Sequence, residues 1–390
     1  MPDYDVVICG CGPAGATAGL VLARQGRNVL MLDRAAFPRK KLCGGLLTWK
    51  SSRLLETVQG LSTARLTDEG LIDFTAHAYS ILSNQNTLAS GPLSAPFHLI
   101  DRAPFDARLL ELAREAGAEL RENAPVVSCD PVAGTVQLET GEIFSATYVI
   151  GADGANSLVR RAFSHVDRAA FQRDMAPAIE ISLTPDQFPR AVTHPELHIG
   201  FLKAGYGWVF PNTDRVLVGV CGLRHHRENF SEIFTDYLRS LDVDPLHAAP
   251  YHGHPLPYGN WLDAPYHGRA LLAGDAGGFV EPLLGEGIFY ALCTGLYAAE
   301  AVDQALETGG DPGPAYARRI GEQILPELQA SDRLRWWLFR AMRFLGSGSI
   351  GLFVNSAAPR LVEMVHGVRS YSLLKKKRWD FLEESRFSKD

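Results

Sequence analysis

At 390 residues with 46% hydrophobic content, the chain can bury a sizeable core and divide into two or three subdomains. Its formal charge of -6 excludes a phosphate-tracking nucleic-acid binder, which needs a cationic excess. No basic-then-apolar leader precedes the first apolar run, no stretch reaches the roughly 18 apolar residues of a membrane span, and the six scattered cysteines lack metal-clip spacing. These features fit a cytoplasmic enzyme with reduced thiols and no metal site.

Tyr4 to Cys9 is a short apolar run, followed by Gly10-Cys11-Gly12-Pro13-Ala14-Gly15 and by small and apolar residues from Ala16 to Arg24. The pattern predicts strand, turn and helix. Gly10 permits the tight turn, Gly12 lets backbone approach a pyrophosphate, and Gly15 allows close packing of helix on strand. The helix N-terminus offers N–H groups and positive dipole to phosphates. A second apolar strand, Asn28 to Leu32, ends in Asp33, 18 residues beyond Gly15, where an acidic side chain can hold a ribose diol. Gly10, Gly12, Pro13, Ala14, Gly15, Asp33 and Arg34 are therefore candidate dinucleotide contacts, for NAD and FAD alike.

Next comes a polar, glycine-rich loop, Phe37-Pro38-Arg39-Lys40-Lys41-Leu42-Cys43-Gly44-Gly45-Leu46. Asp101-Arg102-Ala103-Pro104-Phe105-Asp106 then precedes a helical pattern of Leu109, Leu110 and Leu112. Ala146 to Gly151 is an apolar strand entering an Asp153-Gly154 turn, and Arg269 to Ala273 repeats the theme into Gly274-Asp275. Between them, Gly205-Tyr206-Gly207-Trp208-Val209-Phe210-Pro211 and Val216 to Val220 flank Asn212-Thr213-Asp214 and read as a hairpin. In a strand, Tyr206, Trp208 and Phe210 share one face, as an aromatic wall for an apolar chain or as plain core.

The glycine turn, Asp153-Gly154 and Gly274-Asp275, in that order, resemble the motifs of the para-hydroxybenzoate hydroxylase superfamily of flavoproteins, which implies FAD. By that resemblance Asp275 meets a ribityl hydroxyl and Arg102, in an RxxFD-like segment, lies along the cofactor. The helix beginning near Gly285-Glu286-Gly287, with Ile288, aims its N–H groups at the flavin's pyrimidine edge, stabilising negative charge on the reduced ring. A helix cap for Asp275, an ordinary turn for Asp153 and a surface salt bridge for Arg102 are the structural alternatives.

The loop around Cys43 resembles the PxxxxCGG segment of geranylgeranyl reductases, Tyr206 to Pro211 their YxWxFP motif, and Gly274 to Ala291 their GDAAGFxxPxxGEGIxYA stretch. Matches run from residue 4 to about 300. The resemblance implies an FAD-dependent reductase of C=C bonds in an isoprenoid or similar apolar substrate, with hydride from flavin N5. Its active-site candidates are Cys43, Gly44, Gly45, Tyr206, Trp208 and Phe210, with Cys43 and Gly44 also beside the cofactor. Cys43, flanked by Arg39, Lys40 and Lys41, reads as a proton donor of lowered pKa, a substrate-positioning group or a structural thiol. No second GxGxxG is present, so the external reductant, such as NAD(P)H or ferredoxin, visits transiently. The alternatives are a monooxygenase or halogenase acting through a C4a-hydroperoxide, with Lys50 as the halogenase lysine, and a non-catalytic flavin carrier.

The predicted fold is mixed α/β (α+β overall). A discontinuous Rossmann-like FAD-binding domain spans 1–75, 98–165 and 265–305, and an antiparallel substrate domain spans 76–97 and 166–264. A C-terminal helical region takes 306–390. There Leu334, Trp337, Leu338, Ala341, Met342 and Leu345 recur at helical spacing, with Arg335, Arg340 and Arg343 elsewhere on the wheel. With Trp336, Phe339, Phe344 and Lys375-Lys376-Lys377-Arg378, the segments 333–345 and 375–378 fit peripheral membrane contact or a lid over a lipid tunnel, as well as core packing.

Overall fold

The computed structural model describes residues 2–173, 175–223, 229–245, 251–344, 347–372 and 379. Tyr4–Cys9 is the central strand of the first sheet and pairs in parallel with Val29–Leu32 on one side and Ile143–Gly151 on the other. Glu119–Arg121 and Ala270–Leu272 extend the parallel run outward. Val6 and Ile8 join a core with the helices Pro13–Arg24, Arg102–Glu115 and Ile288–Thr308, while Val7 and Cys9 face Val136, Phe144 and Phe163. Burial on both faces explains why these strands are almost uninterruptedly apolar.

Register sets the functional edge. Cys9 stands level with Leu32 and with Gly151, and Gly151 with Leu272. Backbone bonds from Gly10 to Leu32 (2.7 Å), Ala152 to Cys9 (2.7 Å) and Ala273 to Gly151 (2.9 Å) carry the sheet just past these positions. Gly10, Asp33, Asp153 and Asp275 thus leave the sheet along one carboxyl edge, where open α/β sheets bind ligands.

The second sheet runs in the order His252–Pro257, Met175–Leu183, Val216–Gly222, Gly205–Pro211, Glu196–His198, Ile72–Ser83, Asn86–Ile100 and Leu46–Leu47. The expected hairpin closes at Pro211 opposite Val216, with Asn212 N–H donating to Arg215 O at 2.8 Å. Alternation divides its faces. Ile179, Ile181, Val209, Val218 and Val220 pack under the helix Phe230–Ser240 through Phe234, Tyr237 and Leu238. Ala178, Tyr206, Trp208, Phe210 and Cys221 turn the other way and gather on Leu256 and Leu284.

Three helices follow, Pro312–Gln323, Leu325–Phe344 and Ser347–His366. The last lies on Asn86–Ile100, with Val354 and Ala358 against Tyr79 and Ile81, and Val365 against Phe97 and Leu99. In Leu325–Phe344 the expected apolar face divides: Leu334 and Leu338 pack on Leu283, Met364 and Tyr371, whereas Trp337 is 65% exposed beside Trp336 at 54%. The buried centre of this helix is set by Leu328, Ser331 and Leu334, and Trp337 falls outside that sector. Leu345 and Lys375 to Arg378 lie outside the described residues, as do the side chains of Ala341, Met342, Arg343 and Phe344. Among the described residues no helix is long and apolar enough to cross a membrane.

Candidate active site

The glycine turn is fixed by steric necessity. Gly10 has φ +95°, and a Cβ on Gly15 would lie 1.9 Å from Gly10 O, so only bare backbone lets the helix Pro13–Arg24 start against the strand. Gly12 precedes Pro13 with no side-chain cap, leaving first-turn N–H groups of Ala14 and Gly15 for a ligand. Arg39 lies over this turn, its guanidinium 3.5 Å from where a Gly12 Cβ would stand, and also reaches Asp106 at 3.5 Å.

Asp33 is clamped beside the same turn, accepting from Cys11 N–H at 2.8 Å through one oxygen and from Ala35 N–H at 2.9 Å through the other. Arg34, next along, is exposed. Asp153 accepts from the N–H groups of Leu158 (2.6 Å) and Val159 (3.2 Å), fastening the helix Leu158–Arg161 to the edge. Its other oxygen is buried without a partner, and burial raises its pKa. Gly154, at φ +78°, completes that turn. Arg160 ties the two later motifs together by donating to Ala155 O at 2.6 Å and Ala276 O at 2.8 Å, a link not visible in the spacing.

Gly274 and Asp275 open a short 3-10 turn, Gly274–Gly277, and Gly274 packs on Ala14 of the first motif. Asp275 Oδ1 lies 3.5 Å from where a Gly287 Cβ would stand, so it faces the start of Ile288–Thr308. That helix is preceded by Gly287 with no side-chain cap. The loop before it is held by Glu281, whose oxygens accept from Leu283 N–H (2.8 Å), Leu284 N–H (2.7 Å) and the Ser331 hydroxyl. Tyr206 and Tyr258 hydroxyls donate to Leu284 O and Leu283 O.

Arg102 is buried rather than at the surface, with Nε and Nη2 on the two oxygens of Asp106 at 2.7 and 2.8 Å. It also contacts the Cys43 thiol. Cys43 Sγ accepts from Gly45 N–H at 3.4 Å, and Cys43 N–H donates to Glu180 Oε1 at 3.3 Å. Gly44 lies so close to the Phe210 ring that a Cβ would come within 2.7 Å. Of the three cations expected to flank the thiol, Arg39 is engaged as described, Lys40 is exposed, and Lys41 Nζ lies 2.5 Å from His254 Nε2.

A cavity of about 200 Å³ opens between this loop and the second sheet. Cys43 to Leu46 and Gly285 to Ile288 form one end, Tyr206, Trp208 and Phe210 the wall, and Leu361, Val362 and Val365 of the C-terminal helix the far end. Its lining is overwhelmingly apolar. The exceptions that the motifs did not announce are His254 and Glu180. Burial and the neighbouring Lys41 push His254 down to about 3, so it is neutral. Glu180 accepts from Trp208 Nε1–H at 3.0 Å, and burial pushes it up to about 7. A lone carboxylate in the alternating apolar strand Ala176 to Leu183 was the available signal.

Lys50 does not line the cavity. Its ammonium is fully buried, ion-paired to Glu286 Oε2 at 2.6 Å and surrounded by the rings of Phe289, Tyr290 and Trp379 at 4.9 to 5.7 Å.

A parallel-sheet edge that leaves backbone N–H groups free for a pyrophosphate, with an apolar chamber beside it, is the arrangement of flavin-dependent oxidoreductases. The sequence profile described as the FAD binding domain matches residues 3–308, and the chain belongs to that family of FAD-dependent enzymes. It is 31% identical over 322 residues to the geranylgeranyl diphosphate reductase of Rhodobacter capsulatus, covering 78% of this chain and 76% of that one. An uncharacterized protein of Methanosarcina barkeri is 30% identical over 332 residues, 84% of this chain and 82% of its own. Among solved structures, a geranylgeranyl bacteriochlorophyll reductase-like protein of Thermoplasma acidophilum superimposes with TM-score 0.73 at 20% identity, over 93% of this chain and 91% of that one. That likeness establishes the shared fold.

Proposed function

We propose that this protein reduces C=C bonds in an isoprenoid or similar apolar chain. One observation carries the reading: the cavity joins the Cys43 loop and the start of Ile288–Thr308 to the C-terminal helix through an almost wholly apolar lining. FAD fits the sheet edge by steric and polar tests. The Gly10–Gly15 turn has no room for side chains, Asp153 keeps a buried oxygen without a partner, and two helices start without side-chain caps. In this reading Gly10 to Gly15 hold the pyrophosphate and Asp33, with Arg34 beside it, a ribose. Arg102, Asp153, Gly154, Gly274 and Asp275 line the rest of the cofactor's path. Gly285, Gly287 and Ile288 present N–H groups to the flavin ring. When bound and reduced, FAD supplies a hydride to the substrate.

The chain's own residues do the remainder. Tyr206, Trp208 and Phe210 hold the apolar chain against the ring position and exclude water. Gly44 lets the loop close on Phe210 and Gly45 lets it close on the Ile100 backbone, and Cys43 presents its thiol at that end of the cavity. An external donor, NAD(P)H or ferredoxin, recharges the flavin. The exposed Trp336 and Trp337, on a helix packed against the cavity's C-terminal helix, support peripheral contact with the membrane that holds such a lipid.

The test is a single turnover. Flavin reduced anaerobically in the holoenzyme is mixed with a geranylgeranyl lipid, and return of the oxidised flavin spectrum with saturated product by mass spectrometry is expected. Reoxidation only on admitting O2 would instead favour a monooxygenase or halogenase. The sequestered Lys50 gives the halogenase reading no support.

A further inference from the structure

We infer that Glu180 is the acid that protonates the substrate carbon not attacked by hydride, an assignment that rests on the reductase reading above. Glu180 lies in the cavity wall on Met175–Leu183, between the Cys43 loop and Trp208. These two segments take its two oxygens separately, and both do so as donors: a backbone N–H on Oε1 at 3.3 Å and an indole N–H on Oε2 at 3.0 Å. Neither group can accept a proton. When Glu180 is protonated, its O–H therefore has neither of these groups to donate to, and Glu180 itself lines the cavity proposed for the substrate.

The other titratable groups that line the cavity are unsuited to the task. The Cys43 sulfur is engaged by two donors, Gly45 N–H at 3.4 Å and the Arg102 guanidinium, so it is held within its own loop. Tyr206 already donates to Leu284 O, and burial holds its hydroxyl proton tightly, as it does that of Tyr79. Burial pushes Cys221 up to about 12. Burial and the neighbouring Lys41 hold His254 down to about 3, so it is the neutral imidazole, whose remaining ring N–H is too weak an acid. Glu286 is paired with Lys50.

Glu180 has no ion-pair partner among the described residues, and Arg215 reaches it only at long range. Burial outweighs its two hydrogen bonds and leaves it near 7, where an acid is present in both forms at neutral pH. The step balances. One alkene carbon takes the hydride with its two electrons from reduced flavin, the Glu180 O–H breaks, and its proton forms the second C–H bond. Water then reprotonates the carboxylate, and the external donor replaces the two electrons.

The experiment has two readouts. Burial pushes Glu281 up to about 7 as well, so the first readout is the wild-type minus E180Q difference infrared spectrum of the holoenzymes titrated from pH 5 to 9, which should show a carboxylic-acid C=O band that disappears with a midpoint near 7. In anaerobic single turnovers with geranylgeranyl lipid, the wild-type rate should fall as pH rises through that midpoint. E180Q should be slower by about 100-fold or more and flat with pH, while keeping its FAD and its reducibility by dithionite. Should E180Q fail to fold, W208F decides: loss of the indole donor should move both the band midpoint and the rate profile to higher pH. Saturated product formed by E180Q at the wild-type, pH-dependent rate, or a W208F profile that does not move, would overturn the assignment alone. Absence of saturated product in the wild type would overturn the reductase reading itself.

Discussion

The edge of the first sheet and the cavity wall of the second are built from different material. At the edge, Gly10, Gly15 and Gly274 work by lacking side chains, and both oxygens of Asp33 and one of Asp153 are taken up by nearby backbone N–H groups. At the wall, Tyr206, Trp208, Phe210 and Glu180 work through side chains brought onto one face by strand alternation. The edge can therefore hold the same backbone-recognised group in many enzymes, while the wall alone decides what stands beside it. Residues at the edge should fail by losing cofactor, and residues at the wall by losing chemistry with cofactor retained.

The largest effect should come where the two regions meet, at the buried Lys50–Glu286 pair beneath the start of Ile288–Thr308. Lys50→Met leaves Glu286 buried with only the Thr48 and Ser51 hydroxyls at 2.8 and 3.5 Å. Denaturant unfolding should show a loss of about 3–5 kcal/mol, and Lys50→Met combined with Glu286→Gln should recover much of it. A Lys50 that instead served substrate chemistry would leave stability almost unchanged when replaced.

Gly15→Ala tests the edge alone. Its new methyl meets Gly10 O, a backbone atom with nowhere to go, and strain of about 1–3 kcal/mol falls on the cofactor turn. Purified protein should carry several-fold less FAD by its visible absorbance, whereas an equally conservative change at the wall, such as Phe210→Leu, should keep full occupancy. Equal FAD loss in both would erase the distinction.

The wall's carboxyl also leaves a thermodynamic mark. Glu180 sits near 7 in the folded protein against an ordinary 4.5, so between these values the folded state keeps a proton that the unfolded chain has released. Its contribution to stability is full below about 4.5 and is lost as pH rises to about 7. His254 and His366, held down to about 3 and about 4, act in the opposite sense, so the total slope mixes signs. The difference in Tm between wild type and E180Q isolates the carboxyl: wild type should lose ground by a few degrees from pH 5 to 7.5. A constant difference would mean Glu180 titrates normally.

This division also explains what the sequence could disclose. The glycine turn, Asp33, the Asp153 and Asp275 turns and the uncapped helix at Gly287 are demands on local backbone, and residues a few positions apart express them. The aromatic face of Gly205–Pro211 was legible for the same reason, since period two needs only one strand. The role of Glu180 was not, because its partner Cys43 lies 137 residues away on a loop that only the tertiary fold brings against this strand. Arg102 was half legible: Asp106 stands four residues on, but burial and contact with the Cys43 thiol depend on where the loop closes. The same limit misplaced Trp337, since periodicity defines a helical stripe while neighbours such as Leu283 and Tyr371 decide which edge of it is covered.

Cys43 gives the smallest and most discriminating test. Its loop leaves the cofactor side of the molecule, yet its N–H grips Glu180 and its neighbour Gly44 touches Phe210 at the wall. Cys43→Ala keeps that N–H and the backbone path, so both the edge and the Glu180 contact survive. FAD content should be unchanged, and substrate-dependent reoxidation should slow by about 10-fold, a cost of about 1.4 kcal/mol in the barrier, through loss of the thiol's contact with the substrate end of the cavity. Because Glu180 remains in place, the dependence of rate on pH should persist with its midpoint near 7. Loss of that dependence would make the thiol itself the proton-bearing group, and an unchanged rate would leave only the loop's backbone with a role.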